Sequence, residues 1–223
     1  MTRVLIVDDQ QSIRLGLTLQ LRSVPGIEVV GAAADGQEAL DLIGSGTADP
    51  QVVLMDVRMP RLDGIAATAQ LAATRPEVRV LILTTFDEYE AAFAALDSGA
   101  SGFLLKDATT SQLADAIAAV ANGDAVLAPR ITRELLARSV LNQQPQPRLD
   151  ERQAAARALL RRLSERELEV LVAVGRGLTN AEIAETQHLA PSSVKTYISR
   201  LLTKLGRRDR VGLVILARDA DLR

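Results

Sequence analysis

The sequence predicts an α/β domain built on a doubly wound, five-stranded parallel sheet, followed by a smaller all-α domain. Two observations indicate this fold class. In the first half, short apolar runs that lack polar alternation are separated by amphipathic segments of helix length, which is typical of buried parallel strands and crossover helices. In the second half, helix-capping signals and helix-terminating glycines punctuate the chain.

Strand and helix alternate five times in the first half of the chain. Strands are predicted at residues 3–8, 27–33, 51–56, 79–85 and 101–105. Helices are predicted at residues 11–23, 36–45, 64–74, 88–98 and 109–122. Strict alternation of this kind predicts a parallel sheet with helices on both faces. Gly123 and Asp124 end this domain.

A partly helical linker is predicted between the two domains. Pro129 can begin a helix, and residues 142–147 favour an extended segment. Asp150 can cap an Ala/Arg-rich helix that runs toward Arg162. The predicted parts of the chain are residues 1–123, the linker 124–160 and residues 161–223.

Capping signals and a proline predict three successive helices in the second half. Two capping boxes of the Ser/Thr-x-x-Glu type are present, Ser164 with Glu167 and Thr179 with Glu182. Gly175 and Gly177 lie between them as helix terminators, and Pro191 occupies the favoured first position of a third helix. The apolar face of that third helix consists of Val194, Ile198, Leu201 and Leu205.

The outer face of the third helix is basic and rich in hydroxyl groups. A short helix, a tight turn and a second helix with such a face are typical of a helix-turn-helix in the major groove of duplex DNA. We expect Lys195 to reach guanine, and Thr196 and Ser199 to contact base edges or phosphates. The further expected DNA contacts are Ser192, Ser193, Arg200 and Lys204. The remaining basic residues, assigned to phosphates or to the solvated surface, are Arg207, Arg208 and Arg210.

The formal net charge of −2 divides unevenly along the chain. Residues 1–125 carry 8 Lys+Arg and 17 Asp+Glu, a net charge of −9. Residues 126–223 carry 18 Lys+Arg and 11 Asp+Glu, a net charge of +7. An acidic half joined to a basic half indicates two roles, the second of which involves a polyanion.

Composition excludes several classes of site. The chain has no cysteine, which excludes disulfides and thiolate chemistry and fits a reducing, cytoplasmic location. Its single histidine, His188, excludes a histidine-cluster metal site and is predicted at the surface or in a turn. No apolar run has transmembrane length, and the acidic first strand is unlike a signal peptide, so no membrane association is expected.

Residues that can carry chemistry stand where four predicted strands end: Asp8 and Asp9, Asp56, Thr84, and Lys106. Because ligand sites in parallel sheets form beyond the carboxyl ends of the strands, these side chains should converge at one edge. Carboxylate oxygens are the ligands that Mg²⁺ (or Mn²⁺) prefers, and Asp56 can also attack phosphorus. A metal and Lys106 would balance the charge of the carboxylates and of a transferring phosphoryl group. The alternative is that each residue merely marks where a strand leaves the core.

Most of the chain resembles one known family. Residues 3–122 resemble the receiver domain of a two-component response regulator, with the acidic residues, the hydroxyl and the lysine in register. Residues 56–64 are similar to the family's loop after the phosphoacceptor, and Phe103 matches its aromatic switch position. Residues 163–218 resemble a LuxR-type helix-turn-helix, and the two domains together are typical of the NarL/FixJ class of response regulators.

The resemblance implies a flavodoxin-like receiver that accepts a phosphoryl group and is not an enzyme. Asp56 would be the phosphoacceptor, served by a sensor histidine kinase or a small phosphodonor. Mg²⁺ would be held by Asp8, Asp9, Asp56 and the backbone carbonyl of Arg58. Phosphorylation would draw in Thr84 and Lys106 and turn Phe103 inward. A homodimer would then form through the first and fifth predicted helices, or through the fourth helix and fifth strand, and bind two half-sites about 10 bp apart.

Three residues depart from the LuxR-type pattern. Tyr197 stands in place of a common histidine, Ala190 in place of a Ser/Thr helix cap, and Gln187 in place of an apolar residue. Losing the cap costs about 1 kcal/mol of helix stability, partly offset by Pro191. These departures bear on the operator sequence and not on the class.

Two other functions fit parts of the pattern. A phosphohydrolase would need an acid/base residue beside Asp56, and Arg58 stands at the position where such a residue is often found. An RNA-binding antiterminator would also join a receiver to a helical domain. The near absence of aromatic residues for base stacking favours duplex DNA over single-stranded RNA.

Overall fold

The computed structural model describes residues 1–84, 94–124 and 147–222. The chain divides into two units, Met1–Val126 and Leu127–Arg223. The first unit is an α/β fold, and the described part of the second is all-α, which confirms the predicted fold class. Among the described residues, no helix combines the length and the apolar character needed to cross a membrane.

The first unit is built on a parallel sheet of five strands. The strands are β1 (Thr2–Val7), β2 (Ile27–Ala33), β3 (Val52–Asp56), β4 (Arg79–Thr84) and β5 (Gly102–Leu105). Their order in the sheet is β2-β1-β3-β4-β5, with every neighbouring pair parallel. The order reverses between β1 and β3, so the residues that follow these two strands face the crevice where open α/β sheets bind ligands.

Four helices of the first unit lie within the described residues. They are α1 (Gln11–Arg22), α2 (Gly36–Gly44), α3 (Gly64–Thr74) and α4 (Thr110–Ala121). The bounds of these helices and of the strands agree with the predicted ones to within one residue. The helix predicted at 88–98 lies mostly outside the described residues, and residues 94–97 are helical. Leu21 of α1 and Ile117 of α4 pack with Val4 and Leu54 in one core beneath the sheet.

The second unit contains five described helices. They are α5 (Pro147–Leu160), α6 (Glu165–Gly175), α7 (Asn180–Thr186), α8 (Pro191–Leu205) and α9 (Arg210–Asp219). Both predicted capping boxes are formed, at Ser164 and at Thr179. Pro191 is the first residue of α8, and the predicted apolar face of that helix is buried. The capping boxes and Pro191 therefore placed the starts of α6, α7 and α8 correctly.

The structure corrects two predictions in this unit. The helix α5 begins at Pro147, so Asp150 lies inside it and is not its cap. Because proline is tolerated in the first turn of a helix, Pro147 is compatible with a helix that includes Asp150. Gly175 is the last residue of α6 and not a terminator beyond it. A Cβ at Gly175 would lie 2.7 Å from that of Ala217, so this glycine serves close helix packing.

The end of α5 belongs to the core of the second unit. Ala156 is buried there, and Leu159 and Leu160 pack against the same cluster. The segment predicted as a linker thus contributes apolar side chains to the helical unit. Pro129 and residues 142–146 lie outside the described residues.

Candidate phosphoryl-transfer and nucleic-acid-binding sites

Residues at the ends of three strands meet at the carboxyl edge of the sheet. The Nζ atom of Lys106 lies 2.8 Å from Oδ2 of Asp8 and 2.9 Å from Oδ1 of Asp56. Both carboxylates are buried, and the Lys106 side chain is 17% exposed. One ammonium therefore bridges two carboxylates, as a buried pair of like charges requires.

Burial governs the protonation of this cluster. Burial raises the pKa of Asp56, the charge of Asp8 raises it further, and the bond from Lys106 opposes both. Burial also works to lower the pKa of Lys106, but its hydrogen bonds to Asp8 and Asp56 outweigh this and leave the pKa raised. Lys106 is thus held as a cation, while a second cation would further stabilise the charged form of Asp56.

The acidic residues form a set of oxygen donors suited to a divalent cation. Asp8, Asp9 and Asp56 each offer a carboxylate oxygen, and the three oxygens lie within 4.8 Å of one another. Asp9 is exposed while the other two are buried, so the set opens toward solvent on one side. Hard oxygen ligands with access for water are what Mg²⁺ prefers. The donor set therefore fits the metal expected from the sequence.

Arg14 of α1 binds the backbone of Asp8 and Asp9, a role that the sequence did not predict. Its NH1 group donates to the backbone carbonyl of Asp8 at 2.7 Å and to that of Asp9 at 3.0 Å. In the sequence, Arg14 is one basic residue of an amphipathic helix, and this pattern does not predict that it binds backbone carbonyls of the preceding loop. No sequence signal considered above would have identified it.

The loop 57–63, which follows Asp56, is closed at its far end by a glycine. The amide of Gly64 donates to the carbonyl of Val57 at 2.9 Å. A Cβ at Gly64 would collide with the backbone of Asp56, so only glycine permits this approach. The structure places Arg58 in this loop, with its side chain exposed.

The same loop is bound to the start of α2. The amide of Gly36 donates to the carbonyl of Leu62 at 3.0 Å. Arg61, whose φ is +59°, donates from Nε to Oδ2 of the buried Asp35 at 2.6 Å. Burial works to raise the pKa of Asp35, but hydrogen bonds from the Glu38 amide and from Arg61 outweigh it and hold the pKa below its usual value. The loop that carries Arg58 is therefore fixed at both ends.

Thr84 and Phe103 lie on the neighbouring strands of the same sheet. Thr84 is buried at the end of β4, and its backbone carbonyl accepts from the Lys106 amide at 2.8 Å. Phe103 pairs with Ile82 across β4 and β5 and is only 5% exposed. Phe103 is thus largely buried beside β4 in this structure.

The outer face of α8 carries the predicted DNA contacts. Lys195, Thr196, Ser199 and Arg200 are exposed, as is Ser192, while Ser193 is half-buried. Ala190 makes no side-chain cap, and the amide of Ser193 donates instead to the backbone carbonyl of Ala190 at 2.9 Å. The hydroxyl of Thr196 donates to the carbonyl of Ser192 at 3.0 Å. The exposed part of α8 thus presents two cations, Lys195 and Arg200, together with several hydroxyl groups.

Two basic residues differ from their predicted environment. Nζ of Lys204 lies 2.7 Å from Oε1 and 2.8 Å from Oε2 of Glu167, so it has a partner within the unit. Arg210 is only 8% exposed and donates to Oδ1 of Asn180 and to the carbonyl of Leu178. Assigning Arg210 to phosphates or to the solvated surface was therefore wrong. Arg210 instead joins α9 to the start of α7.

The turn between α7 and α8 explains one departure from the LuxR-type pattern. His188 is exposed there with φ +53°, which confirms its predicted place in a turn. Gln187 donates from Nε2 to the carbonyl of Glu169 at 3.0 Å, and its own carbonyl accepts from Arg166 at 2.6 Å. A polar side chain at position 187 therefore ties the turn to α6.

Comparison with known proteins agrees with both sites. The model of the response regulator receiver domain matches residues 4–118, and that of the bacterial regulatory proteins of the luxR family matches residues 161–217. The response regulator protein VraR of Staphylococcus aureus is 34% identical over 215 residues, covering 96% of this chain and 95% of VraR.

Solved structures of the same class are also similar. The response regulator ChrA of a heme-sensing two-component system is 34% identical with a TM-score of 0.52, covering 100% of this chain and 98% of ChrA. The receiver domain of a NarL response regulator from Mycobacterium tuberculosis is 38% identical with a TM-score of 0.51. It covers 55% of this chain and 97% of that domain.

Proposed function

The chain belongs to the two-component response regulators of the NarL/FixJ class, and on that basis we propose that phosphorylation of Asp56 controls its binding to duplex DNA. It joins a receiver domain to a LuxR-type DNA-binding domain and is not a classical enzyme, which removes the phosphohydrolase alternative. The observation that carries the proposal is the ammonium of Lys106, which lies within hydrogen-bond distance of both Asp8 and Asp56.

A sensor histidine kinase or a small phosphodonor supplies the phosphoryl group. A carboxylate oxygen of Asp56 forms a bond to phosphorus while the bond from phosphorus to the donor's leaving group breaks. Asp8, Asp9, Asp56 and the carbonyl of Arg58 would hold Mg²⁺, which would supply positive charge for the phosphoryl oxygens. Lys106 then moves its hydrogen bond from Asp56 to a phosphoryl oxygen, and the Thr84 hydroxyl donates to another.

The phosphoryl group favours a homodimer that forms through α1 and α4. Leu15 and Leu19, four residues apart on α1, are 59% and 57% exposed, unlike most large apolar side chains of the described residues. Gln20 of α1 donates to the hydroxyl of Thr110 of α4 at 3.1 Å, so the two helices present a joint surface. An exposed apolar pair of this kind supports dimerisation through this surface.

The dimer presents two copies of α8 to an operator. Two half-sites about one helical turn apart match two recognition helices in adjacent major grooves. Lys195 reads a base, Thr196 and Ser199 make smaller base-edge contacts, and Arg200 binds phosphate. Ser192 and Ser193 contact the DNA backbone at the start of the helix, while Lys204 keeps its ion pair with Glu167. Because both the operator and the kinase's phosphohistidine lie in the cytoplasm, the protein acts there.

The intact mass of the whole protein tests phosphorylation, and its size in solution tests dimerisation. The full chain is incubated with acetyl phosphate with and without Mg²⁺, and intact mass and size are recorded on the same samples. We expect a Mg²⁺-dependent gain of one phosphoryl group and a shift toward dimer. Asp56→Asn should show neither change, and a Leu15→Ser/Leu19→Ser variant should gain mass without forming the dimer. Uptake of a phosphoryl group by Asp56→Asn would overturn the assignment of the phosphoacceptor.

A further inference from the structure

We propose that Arg14 is a positioning residue for the divalent cation and acts by holding the backbone of the acidic pair. The inference rests on the proposed function, because it concerns the cation that serves Asp56. One guanidinium nitrogen of Arg14 donates to two consecutive carbonyls, those of Asp8 and Asp9, at 2.7 and 3.0 Å. The amide of Arg14 in turn donates to the carbonyl of Gln10 at 3.1 Å. Arg14 thereby closes the segment 8–10 onto the first turns of α1.

Asp9 depends on this support more than Asp8 does. The carboxylate of Asp8 accepts from the Gln10 amide at 2.9 Å and from Lys106 at 2.8 Å, so its direction is fixed by two bonds of its own. The carboxylate of Asp9 is exposed, and no donor to it is found among the described parts of the chain. The direction of the Asp9 carboxylate therefore follows from its backbone, and Arg14 holds that backbone.

Charge and positioning make opposite predictions for the loss of Arg14. A guanidinium cation near the acidic set repels a divalent ion, so its removal would strengthen metal binding if charge were its only contribution. If Arg14 positions the ligands, its removal frees the loop and weakens metal binding. Hydrogen-bonding partners of metal ligands typically contribute about 10–100-fold to metal affinity. The positioning effect should exceed the charge effect, which is screened at this partly exposed site.

Metal binding by the full chain tests the inference without reference to phosphorylation. Mn²⁺ is titrated into the wild type and into Arg14→Gln and Arg14→Met, and the free hexaaqua ion is followed by electron paramagnetic resonance. We expect both variants to bind Mn²⁺ about tenfold more weakly than the wild type. Arg22→Gln removes the same charge from the last turn of the same helix, where Arg22 is exposed, and should bind within twofold of the wild type.

The outcomes separate this inference from the proposal on which it rests. Circular dichroism establishes which variants are folded. Arg14→Met keeps the apolar stem of the side chain and so provides a second variant if Arg14→Gln does not fold. A folded Arg14 variant that binds Mn²⁺ as tightly as the wild type, or more tightly, overturns the positioning role. A wild type that binds no Mn²⁺ overturns the metal site itself and with it the proposed function.

Discussion

An ion pair between Glu167 and Lys204 joins α6 to the end of the recognition helix α8. The two residues are 37 positions apart, and Nζ of Lys204 lies within 2.8 Å of both carboxylate oxygens of Glu167. The same carboxylate accepts from the amide of Ser164 at 2.8 Å and so completes the capping box of α6. One buried carboxylate therefore caps one helix and holds the end of another.

This relationship predicts a dependence of stability on pH. Hydrogen bonds from Lys204 and from Ser164 lower the pKa of Glu167 from 4.5 to about 2. Because the folded-state pKa lies below the unfolded value, Glu167 stabilises the fold above pH 4.5, and this contribution is lost as the pH falls through 2. We expect Glu167→Gln to reduce the free energy of unfolding at pH 7 by about 1–3 kcal/mol, since Lys204 is partly exposed and its pairing is screened.

Urea unfolding, followed by circular dichroism at pH 7 and at pH 3, measures the effect. The difference between the wild type and Glu167→Gln should shrink at the lower pH. Glu182→Gln is the matched control, because Glu182 occupies the same position in the second capping box but is exposed, and its carboxylate accepts from the amide and hydroxyl of Thr179. An equal acid-dependent loss in both variants would show that the ion pair with Lys204 contributes nothing.

Gly64 is expected to tolerate no side chain. A Cβ there would collide with the carbonyl group of Asp56 and would lie 3.1 Å from Cγ of Met55. Gly64→Ala must therefore displace the loop after Asp56, and we expect it to lower the free energy of unfolding by about 3 kcal/mol.

Gly16→Ala is the control for Gly64→Ala. A Cβ at Gly16 meets nothing within 4 Å in the middle of α1, so the substitution should raise stability by about 0.5–1 kcal/mol. Urea unfolding of the unphosphorylated proteins compares the two. Equal changes in the free energy of unfolding for Gly64→Ala and Gly16→Ala would contradict this prediction.

Arg61 combines a favourable ion pair with an unfavourable backbone conformation. Its φ of +59° lies in the left-handed region, which costs a residue with a side chain about 1–2 kcal/mol. Arg61→Ala loses the ion pair with Asp35 and keeps the strain, whereas Arg61→Gly loses the ion pair and relieves the strain. We expect the glycine variant to be the more stable of the two by about 1 kcal/mol in thermal unfolding. An alanine variant at least as stable as the glycine variant would contradict this.

Lys195 and Arg200 should affect DNA binding in different ways. Both are exposed on α8, but we assign Lys195 to a base edge and Arg200 to phosphate. Lys195→Ala should weaken operator binding by about 1–3 kcal/mol and leave non-specific duplex binding nearly unchanged. Arg200→Ala should weaken both equally and reduce the salt dependence of binding. Fluorescence anisotropy with operator and with random duplex measures both affinities of each variant. If Lys195→Ala and Arg200→Ala had the same ratio of operator affinity to random-duplex affinity, Lys195 would not be a base reader.

The strand-end residues could be predicted because each signal is local. Apolar runs stop at Asp8, Asp56 and Thr84, and the parallel topology then brings those stops to one edge whatever the details of packing. The capping boxes at Ser164 and Thr179 were equally predictable, since each is complete within four residues.

Partners distant in sequence could not be predicted from the same patterns. Arg14, Arg61 and Lys204 each look like ordinary surface charges, and their roles depend on which carbonyl or carboxylate the fold places beside them. Arg210 was misassigned for that reason, because it ends a basic run yet is buried against Asn180.

The packing of α5 decides which fragments of this protein can be studied alone. The LuxR-family match begins at residue 161, but Ala156, Leu159 and Leu160 belong to the same core as α6 and α9. A truncation placed at the family boundary would uncover that apolar surface and invite aggregation. A fragment that starts at residue 147 retains the whole of α5, and isolated DNA-binding assays should begin from there.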